Sequence, residues 1–80
     1  MSEKETIDQL TEEIEKTKDL TVRYDLLFRR GRLKWKKEDR AGAMNDYSEA
    51  CAINPDGPAS VALDQARRIM NFYNKDLYNP

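Results

Sequence analysis

The chain has no histidine, an absence that removes the commonest general base and the commonest transition-metal ligand. Its single cysteine, Cys51, excludes an intramolecular disulfide and fits a reducing compartment. The three glycines stand apart at 31, 42 and 57, so there is no glycine-rich phosphate loop. No apolar run approaches the ~20 residues that cross a bilayer. The opening residues Met1-Ser2-Glu3-Lys4-Glu5 are polar and acidic, where a secretory signal is basic and then apolar. Neither sign of charge prevails: 36% of residues are charged but the net charge is −1, so nothing global draws the chain to nucleic acid or a membrane. These absences predict a cytoplasmic protein that is not an enzyme and carries no cofactor or metal.

What is present has helical periodicity. Eighty residues make one domain at most, near the lower size at which a core sustains itself. An N-terminal helix is expected within 2–18, from about Ser2 to Lys16. A Ser2/Glu5 capping box would start it, and Ile7, Leu10 and Ile14 form one narrow apolar stripe. The next helix, about Thr21 to Lys37, has two apolar sides. Tyr24, Leu27, Phe28, Gly31 and Trp35 share one arc, with Val22, Leu26 and Leu33 roughly opposite. The first helix would cover the second of these stripes and a third helix the other.

That third helix, about Arg40 to Asn54, turns Ala43, Met44, Tyr47, Ala50 and Cys51 inward, with Cys51 expected to be a buried packing residue. Asn54-Pro55-Asp56-Gly57-Pro58 is the strongest loop signal, and Pro58 suits the first turn of a fourth helix over 58–74. The fourth helix is expected to bury Ala59, Ala62, Leu63, Ala66, Ile69, Met70 and Tyr73, leaving a tail over 75–80.

Gly31, Ala43, Tyr47, Ala50 and Pro55 are spaced for two antiparallel helices whose backbones approach closely. This pattern over 22–56 resembles a tetratricopeptide repeat (TPR), a helix–turn–helix with Gly, Ala, aromatic, Ala and Pro landmarks. The chain also looks similar to small stand-alone bacterial proteins carrying a single such repeat. The resemblance implies a right-handed antiparallel helix pair spanning 21–54, with an N-terminal helix and a C-terminal capping helix. The fold class is therefore all-α, with about four helices. Gln65 stands where a second repeat would place its glycine, so the fourth helix reads as a cap. Two residues depart from the pattern: Lys34 where such repeats carry tyrosine, and Glu38 where a helix-ending glycine is usual.

The resemblance implies a protein–protein interaction module, an adaptor or scaffold whose partner is an unidentified protein or peptide. Its ligand surface would lie on the first helix of the pair, at Phe28, Arg32, Trp35 and Lys36. An electrostatic binder of nucleic acid or another polyanion is the alternative. Residues 23–40 carry eight positive and three negative side chains, with Trp35 among them. Those cations divide between two edges of their helix, and residues 2–20 hold seven negative and three positive side chains. Acidic helix beside basic helix is the expected use of that charge, so nucleic acid is not the expected partner. Val61, Phe72, Leu77 and Tyr78 suggest a weak homodimer. Folding back of the tail over the domain stays open as the other use of these residues.

Overall fold

The structure, a computed structural model, describes residues 6–73, with side chains up to Asn71. Four helices follow one another: α1 (Ile7–Lys16), α2 (Leu20–Lys36), α3 (Arg40–Ile53) and α4 (Pro58–Tyr73). The fold is all-α, without a strand among the described residues. No helix among them is long and apolar enough to cross a membrane.

Local chemistry sets each boundary. The helix start expected at Ser2 is corrected, because Thr6 is extended (φ −118°, ψ 163°) and caps α1 itself. The Thr6 hydroxyl accepts from the Gln9 N–H, and the Gln9 side chain accepts from the Thr6 N–H, each at 3.1 Å. The box expected at Ser2 and Glu5 lies outside the described residues. Asp19 caps α2 by accepting from Thr21 N at 2.9 Å, and Asp39 caps α3 by accepting from Gly42 N at 3.0 Å.

Helix α2 ends in a Schellman turn. The Asp39 N–H reaches back to the Lys34 carbonyl (2.8 Å) and the Glu38 N–H to the Trp35 carbonyl (3.0 Å). This turn requires a left-handed residue, and Glu38 occupies it with φ 67°. The glutamate-for-glycine departure thus leaves the helix end where the pattern puts it, at a conformational cost of about 1–2 kcal/mol.

Consecutive helices pack on one another, α2 and α3 most extensively. Arg30 faces Asp46, and Trp35 faces Arg40, so α2 and α3 run antiparallel. Leu10 and Ile14 of α1 enter one core cluster with Leu26, Leu27, Ala50 and Ala59. A second cluster joins Ala43, Tyr47 and Leu63, and Phe28 and Cys51 pack against both. A Cβ on Gly31 would stand 2.7 Å from Tyr47 Cε1 and 3.3 Å from the Ala43 carbonyl oxygen, so this glycine sets the α2–α3 separation.

Several burial expectations change: Met44, Ala62 and Met70 are half-buried, and the expected burial of the Tyr73 side chain lies outside the described residues. Val22 stays 43% exposed, because it is Arg23 that turns toward α1, donating to the Thr17 carbonyl at 3.0 Å. Cys51 is half-buried between the clusters. Ile69 is 39% exposed, because α4 leans on α3 and leaves a groove toward α2.

Opposite responses are expected at the two unusual backbone positions. Gly31→Ala should destabilise by about 1–3 kcal/mol, despite alanine's helix preference, because its Cβ would overlap the Tyr47 ring and crowd the Ala43 carbonyl, so the ring must shift. Glu38→Gly should stabilise by about 0.5–1 kcal/mol by relieving the left-handed residue. Thermal melts of both variants check this; a stabilised Gly31→Ala would show that the helices do not meet at that glycine.

Candidate functional site

Among the described residues, the one charged group wholly withdrawn from water is Asp46, 1% exposed on α3. Arg30 meets it with two parallel bonds, Nε to Oδ2 at 2.8 Å and Nη2 to Oδ1 at 2.7 Å, while Lys34 Nζ lies 3.3 Å from Oδ2. The remaining reach of Arg30 goes to α1, where Nη1 donates to Thr11 Oγ1 at 3.0 Å. Three helices are thereby tied at one carboxylate. Hydrogen bonding to Asp46 raises the Arg30 pKa against the opposing effect of burial. The direct ion pairs of Arg30 and Lys34 are made with Asp46 of α3, and Glu15 of α1 adds a coulombic contribution at Arg30. Arg29 pairs with Asp25 on its own helix at 2.8 Å, where both side chains are about half exposed.

The sequence reading did not single out Asp46, although a signal was available. It lies three residues after Ala43 and four before Ala50, on the core arc of α3, opposite Arg30 in antiparallel register.

The groove lies between α2 and α4 and measures about 300 Å³. Phe28, Arg32 and Trp35 supply the α2 wall, Tyr47 of α3 the floor, and Ala62, Gln65 and Ile69 much of the α4 wall. The start of α4 is fixed by the Tyr24 hydroxyl, which accepts from the Ala59 N–H at 2.9 Å. That hydroxyl fills the space a side chain at Gly57 would need. Inside the groove the Phe28 and Tyr47 rings are 5.8 Å apart and tilted by 47°. The Arg32 guanidinium sits 5.9 Å from the Phe28 ring centre, and Arg40 lies 5.0 Å from that of Trp35. Burial pushes the Tyr47 hydroxyl above its ordinary pKa, with Arg32 opposing. No lining residue is acidic.

Three of the four expected partner-contacting residues, Phe28, Arg32 and Trp35, line this groove; Lys36 is exposed but is not part of its wall. Tyr47 and Ile69, which were assigned to the core, belong to the groove as well. Of the self-association set, Val61 is 58% exposed on α4. The Phe72 side chain and residues Leu77 and Tyr78 lie outside the described residues. Among those described, no group of three or more His, Cys, Asp or Glu is placed to hold a metal ion. No protein-family model, no curated protein and no solved structure matches the chain.

Removing one partner from a buried ion pair strands the others, so Asp46→Ala should cost about 3 kcal/mol. In a domain of this size that lowers Tm by more than about 10 °C. Asp25→Ala, which breaks the exposed pair, should cost under about 0.5 kcal/mol. Equal losses in the two melts would contradict the special standing of Asp46.

The Tyr47 shift has a defined pH signature. Because folding raises its pKa above the ordinary 10.0, its contribution is constant below pH 10. Above that, the unfolded chain loses the proton first, so stability falls as pH rises through the folded-state value. Tyr47→Phe should flatten the stability–pH curve above pH 10 and leave it unchanged at neutrality, as measured by urea titrations across that range.

Proposed function

We propose that the chain is a non-catalytic protein–protein interaction module, built on a tetratricopeptide-like helix pair, that holds a segment of a partner protein between α2 and α4. The observation that carries this reading is the groove itself. Phe28, Trp35 and Ile69 stand part-open to water along one concave face, with a single guanidinium among them. Side chains this apolar are ordinarily driven inward, at roughly 25 cal/mol for each Å² removed from water. Covering them is therefore favourable for a ligand that fits. Recognition sites are commonly concave and mostly apolar with a few placed polar groups, and about 300 Å³ is the lower end of their range. That volume suits one or two large side chains of a peptide.

The resemblance gives independent support. In the repeat pattern the first helix of each pair lines the ligand surface, and the resemblance gives that role to α2. The polyanion alternative has less to work with, since Arg30 and Lys34 are committed to Asp46 and Arg29 is paired with Asp25. Few phosphates could be neutralised together, so affinity for duplex DNA should collapse by about 150 mM salt.

Panning a random peptide library against the folded chain tests the reading. Selected peptides should shift the backbone resonances around Phe28, Arg32, Trp35 and Ile69, and Trp35→Ala should weaken them by tenfold or more, as for an interface anchor worth ~2 kcal/mol. Peptides that map to Val61 or Leu20, or duplex binding that survives ~150 mM salt with a steep salt slope, would overturn it.

A further inference from the structure

Helices α2 and α4 run the same way, since Tyr24 meets Ala59 near their starts and Trp35 and Ile69 share the groove near their ends. Residues of the two walls therefore come in matched order. Phe28 and Ala62 stand toward one end, Arg32 and Gln65 in the middle, and Trp35 and Ile69 toward the other end. The groove is thus apolar at both ends and polar between them. Phe28 and Trp35 are seven residues apart, ~10 Å along a helix, and Arg32 falls about one turn from each.

The charge in the middle has one sign. No carboxylate lines the groove. Asp25 is the only acid on α2 and Asp64 the only one on α4, and each pairs with an arginine of its own helix, Arg29 and Arg68. Lys36, exposed and one turn beyond Arg32, extends the positive charge along α2. The Phe28 ring face, 5.9 Å from the Arg32 guanidinium, helps hold that cation at the groove.

We infer that the partner segment carries a side-chain carboxylate between two bulky apolar residues. The apolar residues cover Phe28 and Trp35, and the carboxylate pairs with Arg32 between them, where the Gln65 amide of the opposite wall is a second donor. Because apolar surface continues on both sides of Arg32, the charge belongs inside the segment and not at a chain terminus. A lysine or arginine in that place would set two cations against each other as the segment shuts out water. The groove therefore discriminates by charge as well as by shape. The inference rests on the groove being a peptide site.

The test starts from peptides panned against the folded chain and mapped to the groove by their resonance shifts. The tightest is synthesised with both ends capped, together with a copy whose acidic residue is replaced by lysine. Both are titrated by fluorescence anisotropy against the native chain and against full-length Arg32→Glu. Arg32 is exposed, so this variant should keep its helicity by circular dichroism. The acidic peptide should bind the native chain about three- to tenfold more tightly than the lysine copy, and Arg32→Glu should reverse that order. The control Lys18→Glu, an equal change of charge before the start of α2, should leave the order as in the native chain. Groove-mapped peptides with no acid between two apolar residues, or an order that Arg32→Glu leaves unchanged, would overturn the inference while peptide binding stands. Loss of binding on capping the C-terminus would also overturn it, by placing the charge at a chain end. If no peptide maps to the groove, the peptide site itself fails and the recognition pattern falls with it.

Discussion

A carboxylate removed from water determines how these helices meet. An unpaired charge in the interior costs several kcal/mol, so Asp46 is tolerable only where a cation reaches it in good geometry. Arg30 and Lys34, one turn apart on α2, meet it from the same helix face. Sliding α3 along α2 by even one residue would break the two-pronged Arg30 contact and strand the charge. Apolar contacts alone tolerate such shifts far better, because they are not directional. The ion cluster thus selects one register, and the bond from Arg30 to Thr11 carries that selection on to α1.

Once the register is set, Gly31 faces Tyr47 and the Ala43 carbonyl, the one place on α2 where a missing side chain is needed. The close approach pushes the Tyr47 ring outward against Phe28 and makes it the floor of a groove. Helix α4 completes the groove by being held at one end, through Tyr24 and the buried Ala59, Leu63 and Ala66, while Ile69 stays part-open. The same cluster also withdraws two cations from the basic helix. What remains at the groove is an aromatic surface with one guanidinium.

Much of the fold was legible in local chemistry. The caps at Asp19 and Asp39, the stop at Pro55 and the restart at Pro58 are decisions made within one or two turns. The start of α1 was misread because Ser2/Glu5 and Thr6/Gln9 both satisfy the capping-box rule, and spacing alone does not rank them. Glu38 shows the reverse case. A residue poorly suited to the left-handed position still occupies it, since the docked pair of helices requires the turn there.

The candidate site was partly legible. Phe28, Arg32 and Trp35 follow from helical spacing together with the repeat pattern, whereas Tyr47 and Ile69 read as plain core from one helix at a time. Periodicity reports which face of a helix is apolar, but the depth to which that face is covered depends on where the neighbouring helix lies. By itself the sequence determined helix count, every helix end but the start of α1, direction and the close approach at Gly31, because each rests on contacts a few residues apart or on the size of one side chain. Only the tertiary structure decided that Asp46 is buried against Arg30 and Lys34, that Ile69 stays part-open, and that a groove exists between α2 and α4. Those outcomes depend on distances between elements far apart in the chain, and no local rule encodes them.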